Sequence, residues 1–296
     1  MRFTLVGAGA VGTLWGLSLA NAGHQVHWIT RQNETAVFRG YEADTAIAFP
    51  ANQRELLADS DCVLVCVKAF HVQTALETLL PDLHPDTPVV LMHNGMGTAE
   101  KALKLLPHNP LLLATTSHGS LVVTETEVRH TGLGETHIGG INPSGKQCDF
   151  LKDVLEHALP PVSWHPEITS ALWRKLAVNC MINPLTALEQ CQNGDLLSPV
   201  YQAQLQTLSQ EIASVMHAEG QEVSAKEVFA FSLAVASATA QNYSSMNRDV
   251  YFKRRSEIDY ITGYLINRAE SHGIATPANR ALYLAIKERE LSYDIT

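Results

Sequence analysis

The sequence predicts an α/β fold for its first half and an all-helical fold for its second half. Strand and helix patterns alternate up to about residue 160, and two of the strand patterns are continuous apolar runs typical of central parallel strands. Beyond Pro161 only helical periodicity continues. Because alternating strands and helices connect through right-handed crossovers, we expect a doubly wound sheet in the first half.

The first half is predicted to contain six regular elements: strands at 2–6, 25–30, 61–67 and 88–92, and helices at 11–22 and 71–80. The stretch 111–140 is rich in Val, Thr and Gly, which predicts antiparallel extensions at the sheet edge. After Pro160 and Pro161 no further strand is expected.

The second half is predicted to contain four helices, at 171–188, 200–219, 225–241 and 257–272, with turns at Asn193 and Gly194, Gly220 and Gly273. We place the domain boundary near residue 165. This predicts a dinucleotide-binding domain at 1–165 and a helical substrate domain at 166–296.

Composition excludes several classes of function. Hydrophobic residues make up 46% and charged residues 17% of the 296 residues, as in a globular protein with a large interior. The net charge of −9 argues against nucleic-acid and anionic-membrane partners, which need clustered cations. Five cysteines without metal-ligand spacing predict reduced thiols and no metal site. Without a targeting signal or a membrane-spanning run, we expect a cytoplasmic location.

The sequence G-A-G-A-V-G, from Gly7 to Gly12, follows the first strand and opens the first helix. In this pattern Gly7 permits a tight turn, Gly9 lets the backbone approach a pyrophosphate, and Gly12 lets helix and strand pack closely. The helix N-terminus then faces the phosphates. A glycine-rich turn without a ligand is the alternative, but the flanking strand and helix favour a Rossmann-like dinucleotide site. The other loop residues are Ala8, Ala10 and Val11.

Two cations could contact the cofactor, and one of them, Arg31, indicates which dinucleotide binds. An acidic residue after the second strand would hold the ribose of NAD, but here Arg31 follows that strand and suits the 2′-phosphate of NADP. Lys68, beyond the strand at 61–67, is expected at the carboxyl edge of the sheet, where it could hold cofactor or substrate. A solvated lysine is an equally simple interpretation of Lys68.

The motif H-N-G-M-G follows the strand at 88–92 and is also expected at the carboxyl edge. Asn94 can hydrogen-bond both cofactor and substrate, although the two glycines could mark no more than a turn.

Lys175, Asn179 and Asn183 are spaced four apart, so on a helix they form one polar stripe on an otherwise apolar segment. One ammonium and two carboxamides suit a keto acid, because the ammonium can protonate the alkoxide that hydride addition produces. The alternative is a solvated lysine beside structural asparagines. Two further polar groups, Ser245 and Glu257, could bind substrate hydroxyl or carboxylate groups, or could simply be helix-terminal residues.

The chain resembles the 2-dehydropantoate 2-reductases, also called ketopantoate reductases, over essentially its whole length. The resemblance rests on ordered motifs in both halves: G-A-G-A-V-G, H-N-G-M-G, W-R-K-L-A-V-N-C-M-I-N-P-L-T-A, N-G-D-L, S-S-M-N-R-D and S-E-I-D-Y-I-T-G. It implies NADPH-dependent reduction of 2-dehydropantoate to (R)-pantoate, a step toward pantothenate and coenzyme A.

The resemblance also implies roles for individual residues. Lys175 would be the proton donor, and Asn94 would contact cofactor and substrate. Glu257 would be a cofactor-side or orienting group, and Ser120 would touch NADP through its backbone. The remaining substrate ligands would be Asn179, Asn183, Asn193 and Ser245.

Two enzymatic alternatives remain, a 3-hydroxyacid dehydrogenase and a reductase of another 2-oxo acid. A binding protein that senses NADPH without catalysis is the alternative of another class. The expected partner is a small 2-oxo acid, and the protein is expected to be a monomer or a homodimer.

Overall fold

The structure is a computed structural model that describes residues 1–295. The chain divides into two compact units. The first comprises Met1–His93 and Thr98–Ala171, and the second comprises Asn94–Gly97 and the chain from Leu172 onward.

The first unit contains eleven strands within the described chain. In chain order they are β1 (Arg2–Val6), β2 (Gln25–Ile29), β3 (Ala36–Tyr41), β4 (Ile47–Pro50), β5 (Cys62–Val65), β6 (Val89–Met92), β7 (Leu111–Thr116), β8 (Gly119–Val122), β9 (Glu127–Gly132), β10 (Thr136–Gly140) and β11 (Val162–Trp164). Its helices are α1 (Ala10–Asn21), α2 (Arg54–Ala58), α3 (Val72–Leu79), α4 (Ala99–Leu105) and α5 (Leu151–Ala158), with short 3₁₀ turns at Ala69–His71 and Gly145–Gln147.

Seven strands form the main sheet in the order β11-β10-β7-β6-β5-β1-β2. The neighbouring pairs from β2 to β7 are all parallel, and β10 runs antiparallel to β7. Every residue of β5 and β6 is buried, as expected for β-branched strands covered on both faces. The predicted doubly wound α/β sheet is therefore confirmed.

One prediction about the strands is only partly right, since β10 is an antiparallel extension of the main sheet, and a second is wrong. The region 111–140 does not merely extend the main sheet, because β8 and β9 join β3 and β4 in a separate sheet of order β4-β3-β9-β8. A strand also follows the two prolines: β11 pairs with β10 at the edge of the main sheet, and the amide of Thr136 donates to the carbonyl of Pro161 over 2.9 Å. Both prolines precede this strand, and Pro161 takes part in the pairing through its carbonyl, which needs no N–H.

The second unit is helical. Its helices are α6 (Thr169–Glu189), which starts at the end of the first unit, α7 (Gln202–Ala218), α8 (Ala225–Ala238), α9 (Ser245–Tyr251), α10 (Thr262–Ser271) and α11 (Pro277–Leu291), with 3₁₀ turns at Asn193–Leu197, Pro199–Tyr201, Ile258–Tyr260 and Ser292–Ile295. Within residues 1–295 no helix has the length and apolar character needed to cross a bilayer.

The predicted helix at 257–272 is wrong at its start. A 3₁₀ turn at Ile258–Tyr260 precedes α10, and Ile261 separates the two with φ −102° and ψ −91°, which is not helical geometry. Glu257 is therefore not a first-turn residue of a long helix. The helix α11 was not among the predicted helices, because only three of its residues, Asn279, Leu282 and Ile286, are buried.

The helix α6 is buried along most of its length. Trp173, Leu176, Cys180 and Met181 belong to the apolar core of the second unit. Pro184 lies inside the helix, so the carbonyl of Cys180 lacks its usual amide donor. The polar stripe thus occurs on a helix that the core holds in place.

Candidate active site

The phosphate loop has the three features that its glycines predict. Gly7 adopts φ +100°, a conformation that favours glycine, and a Cβ on Gly12 would lie 2.2 Å from the carbonyl oxygen of Gly7. A Cβ on Gly9 would meet no atom within 4 Å. Tight packing on one side and open space on the other are what a backbone needs to receive a pyrophosphate.

The helix α1 begins directly after this loop. Gly9 is its N-cap and provides no side-chain cap, and the first turn contains no acidic residue. The first backbone N–H groups of α1 therefore have neither a capping side chain nor a nearby carboxylate, and together with the helix dipole they suit an anion.

Arg31 lies two residues beyond β2 and is exposed. Its loop is held by Asn52, whose Nδ2 donates to the carbonyls of Gln32 and Glu34, each over 2.8 Å, and whose Oδ1 accepts from the Thr30 amide over 3.0 Å. Asn52 adopts φ 55°, which asparagine tolerates better than most residues. Nothing in the sequence pairs Asn52 with the loop after the second strand, so its contribution is visible only in the structure.

Lys68 and Ser120 also lie in the first unit. Lys68 follows β5, which is parallel to β1, so both strands lead to the same edge of the sheet. The Lys68 ammonium lies 5.9 Å from the centre of the Phe70 ring. Ser120 lies on β8, which packs against α1, the helix that the phosphate loop opens.

The loop Asn94–Gly97 packs against the segment around the 3₁₀ turn at Ile258–Tyr260. The Met96 amide donates to the Tyr260 carbonyl over 2.8 Å, and a Cβ on Gly95 would lie 2.3 Å from that same oxygen. Asn94 Nδ2 donates to Glu257 Oε2 over 3.0 Å. The glycines therefore do more than turn the chain, since the close approach brings Asn94 to a buried carboxylate.

Lys175 belongs to the same group. Burial lowers the pKa of Lys175 to about 8, and the negative charge of Glu257 opposes part of that decrease. Glu257 is only 6% exposed. An ammonium with a pKa near neutrality beside a carboxylate is suited to release a proton at neutral pH.

The asparagines predicted to bind substrate lie in the same unit. Asn179 Nδ2 is buried and has no hydrogen-bond partner within the described chain, and the same holds for Asn193 Oδ1. The other amide atom of Asn193, Nδ2, donates to Thr239 Oγ1 over 2.9 Å. Asn183 is buried on α6. A donor and an acceptor without partners are costly unless a ligand binds them, so both are candidate ligand contacts.

Ser244 and Ser245 start α9. Ser244 is the N-cap, its Oγ accepts from the Asn247 amide over 3.0 Å, and it pairs with Thr186 Oγ1 on α6 over 2.8 Å. The capping interpretation thus holds for Ser244. Ser245 is exposed at the first helical position and is available to a ligand.

Residues 1–295 contain no group of three or more His, Cys, Asp or Glu side chains placed to hold a metal ion. All five cysteines are free, and burial raises the pKa of Cys180, next to Asn179, to about 12. That thiol is not a nucleophile at neutral pH.

Comparison with known families accounts for both units. The family model described as "Ketopantoate reductase PanE/ApbA" matches residues 3–143, and the model described as "Ketopantoate reductase PanE/ApbA C terminal" matches residues 167–290. The chain belongs to the ketopantoate reductase family. The resemblance inferred from the sequence motifs is confirmed.

Relatives within the ketopantoate reductase family match over their full lengths. The 2-dehydropantoate 2-reductase of Vibrio cholerae is 46% identical over 293 residues, which covers 99% of both chains. The enzyme of the same name from Escherichia coli O157:H7 is 39% identical over 303 residues and covers 99% of this chain and 97% of its own.

Solved structures agree on the fold. A PanE/ApbA family ketopantoate reductase from Ralstonia eutropha JMP134 has a TM-score of 0.87 at 28% identity, covering 99% of this chain and 100% of that one. A D-mandelate dehydrogenase solved with NADH and anilino(oxo)acetate has a TM-score of 0.90 at 22% identity, with the same coverage. The second similarity is evidence for the fold alone.

Proposed function

We propose that this protein catalyses the NADPH-dependent reduction of 2-dehydropantoate to (R)-pantoate. The observation that carries the proposal is the group formed by Lys175, Glu257 and Asn94, in which a partly buried ammonium has a pKa of about 8. The names of the relatives from Vibrio cholerae and Escherichia coli support the choice of substrate.

The phosphate loop fits NADPH. Gly7 and Gly12 shape a backbone turn that side chains would block, and the open side of Gly9 leaves room for the pyrophosphate. Arg31 would hold the 2′-phosphate, and Lys68 and the Ser120 backbone would hold other polar groups of the same cofactor. When bound, NADPH supplies the hydride for the keto carbon.

Lys175 acts as the general acid. Hydride addition turns the keto oxygen into an alkoxide, and the Lys175 ammonium stabilises this charge and then gives up one proton from Nζ. Because reduction needs the protonated amine, its pKa of about 8 leaves most of the enzyme active at neutral pH. Glu257 orients the group: its carboxylate attracts the ammonium and accepts from Asn94.

The polar residues of the second unit would bind the substrate. The amide Nδ2 of Asn179 can donate to a carboxylate or keto oxygen, and Oδ1 of Asn193 can accept from a hydroxyl. Asn94, Asn183 and Ser245 would add further polar contacts. 2-Dehydropantoate carries a carboxylate, a keto group and a hydroxyl. It can therefore use both the donor and the acceptor.

A substrate panel tests the proposal. Purified protein is mixed with NADPH and either 2-dehydropantoate or a 2-oxo acid without the hydroxyl group, and the loss of nicotinamide absorbance is followed. We expect the highest kcat/KM for 2-dehydropantoate. Faster turnover of another 2-oxo acid would show that this acid, and not 2-dehydropantoate, is the preferred substrate. Tight NADPH binding without turnover of any 2-oxo acid would favour the sensor alternative.

A further inference from the structure

Three side chains of α11 lie on one face of that helix and contact the segment that carries Glu257. Tyr283, Lys287 and Glu290 are spaced four and three residues apart, which places them on adjacent turns of the same face. The segment that they contact comprises the residues from Ser256 to Asp259 and is called here the carboxylate segment. Its members Ser256, Glu257 and Ile258 are all buried.

Glu290 holds the start of the carboxylate segment. Its Oε1 accepts from both the backbone amide and the hydroxyl of Ser256, each over 2.7 Å. Ser256 is 1% exposed, and the Glu290 side chain is 10% exposed. Charge-assisted hydrogen bonds in such a buried place are stronger than surface ones, so Glu290 fixes the residue immediately before Glu257.

Tyr283 and Lys287 hold the end of the segment. The Tyr283 hydroxyl donates to Asp259 Oδ1 over 2.9 Å, and Lys287 Nζ donates to Asp259 Oδ2 over 3.1 Å. Lys287 Nζ also donates to Glu290 Oε2 over 3.3 Å, which links the two attachment points. Burial alone would raise the pKa of Asp259, but hydrogen bonds from Lys287, Tyr283 and Arg255 outweigh it and lower that pKa below its ordinary value.

We propose that Glu290, assisted by Lys287 and Tyr283, is a positioning residue for proton transfer, because it holds the carboxylate of Glu257 beside Lys175 and Asn94. The inference rests on the proposed function. Electrostatic attraction between charges that are partly shielded from water is weakly screened, so a shift of the segment changes how strongly Glu257 stabilises the Lys175 ammonium. A helix that touches the segment on both sides of Glu257 limits that shift.

Three variants of α11 test the inference in the full-length protein. Glu290→Ala removes the acceptor, Glu290→Gln keeps an amide oxygen that can accept from Ser256, and Glu288→Ala changes an exposed residue of the same helix. If the Lys175 pKa falls by about one unit, Glu290→Ala should lower kcat by up to about tenfold at pH values above 8, because only the protonated amine can donate. Glu290→Gln should recover most of that loss, and Glu288→Ala should match the wild type. The Kd for NADPH should not change in any of them.

A readout that needs no turnover separates this inference from the proposed function. The pH dependence of Lys175 acetylation by acetic anhydride, followed by mass spectrometry, reports the Lys175 pKa in each variant. We expect a lower Lys175 pKa in Glu290→Ala and a value near the wild type in Glu290→Gln. If the wild-type protein reduces no 2-oxo acid, the proposed function is refuted. The Lys175 pKa can still be measured by acetylation in that case, so this inference is tested separately.

An unchanged Lys175 pKa in a folded Glu290→Ala variant would overturn the inference. Equal loss of activity in Glu290→Ala and Glu290→Gln, with the Lys175 pKa unmoved in both, would also overturn it and indicate a purely structural role. If Glu290→Ala does not fold, Ser256→Ala takes its place, because it removes one of the two bonds and keeps the backbone bond. A smaller decrease in the Lys175 pKa is then expected, because the backbone bond to Glu290 remains, and the absence of any decrease would overturn the inference.

Discussion

Asn94 donates a hydrogen bond to Glu257 over 3.0 Å, although 163 positions separate the two residues in the chain. The contact brings together two motifs that have no sequence relation, the H-N-G-M-G loop and the S-E-I-D-Y segment. His93 and Thr98, which flank the loop, are hydrogen-bonded to each other through Nε2 and Oγ1 over 2.8 Å. These hydrogen bonds close the loop at its two ends and attach it to Glu257. They therefore hold in place the carboxylate whose charge affects the pKa of Lys175.

The pH dependence of Glu257→Gln should reveal that influence. The Glu257 charge raises the Lys175 pKa against the effect of burial, so its removal should lower that pKa further. Because only protonated Lys175 can donate, the decrease of kcat with rising pH should begin at a lower pH, by about one pH unit. The glutamine oxygen can still accept from Asn94. A profile that coincides with that of the wild type and of Glu288→Gln would contradict the electrostatic role.

Arg31→Ala should change cofactor preference without loss of folding. Arg31 is exposed, and a charge-assisted bond to a 2′-phosphate is worth roughly 1.5–3 kcal/mol, or about tenfold or more in affinity. We expect the Kd for NADPH to rise by that factor and the Kd for NADH to stay constant. Equal weakening of both cofactors, measured by titration of nicotinamide fluorescence, would exclude the phosphate role.

Asn52→Gly should change the same preference by a smaller factor. Glycine accepts the φ of 55° but removes the four side-chain hydrogen bonds that hold the Arg31 loop at Thr30, Gln32 and Glu34. We expect a severalfold rise in the Kd for NADPH and little change for NADH. An unaltered Kd for NADPH would show that the hydrogen bonds of this loop do not affect how Arg31 binds the 2′-phosphate.

The phosphate loop allows a matched pair of glycine variants. In Gly12→Ala the new Cβ would clash with the Gly7 carbonyl, so we expect a loss of about 1–3 kcal/mol in the free energy of unfolding. In Gly9→Ala the Cβ enters open space, so the protein should keep its stability and bind NADPH more weakly. Thermal unfolding and cofactor titration check both. Normal NADPH binding by Gly9→Ala would place the pyrophosphate elsewhere.

Several parts of the fold and site follow from local sequence, and others do not. The strands β5 and β6 can be predicted because burial on both faces selects apolar residues along a short run. The phosphate loop can be predicted because its tight turn selects glycines within a few positions. The strand β11 and the helix α11 do not follow from the sequence, because an edge strand after prolines and a helix with three buried residues carry weak patterns. The polar stripe on α6 is readable from its spacing. Asn94 and Glu257 are also candidates from the sequence, Asn94 because it follows a buried strand and Glu257 because it is a polar group in an apolar domain, but only the structure shows that they touch.

The most direct test of the central claim is the pH profile of kcat for NADPH-dependent reduction of 2-dehydropantoate, measured on the wild type and Lys175→Ala with exposed Lys226→Ala as the control. We expect the wild type and the control to lose activity as the pH rises through about 8, the pKa to which burial lowers Lys175. Lys175→Ala should bind NADPH normally, turn over at least about 10²-fold more slowly and lack that alkaline decrease. A Lys175→Ala enzyme that keeps the wild-type rate and the same alkaline decrease would contradict the account.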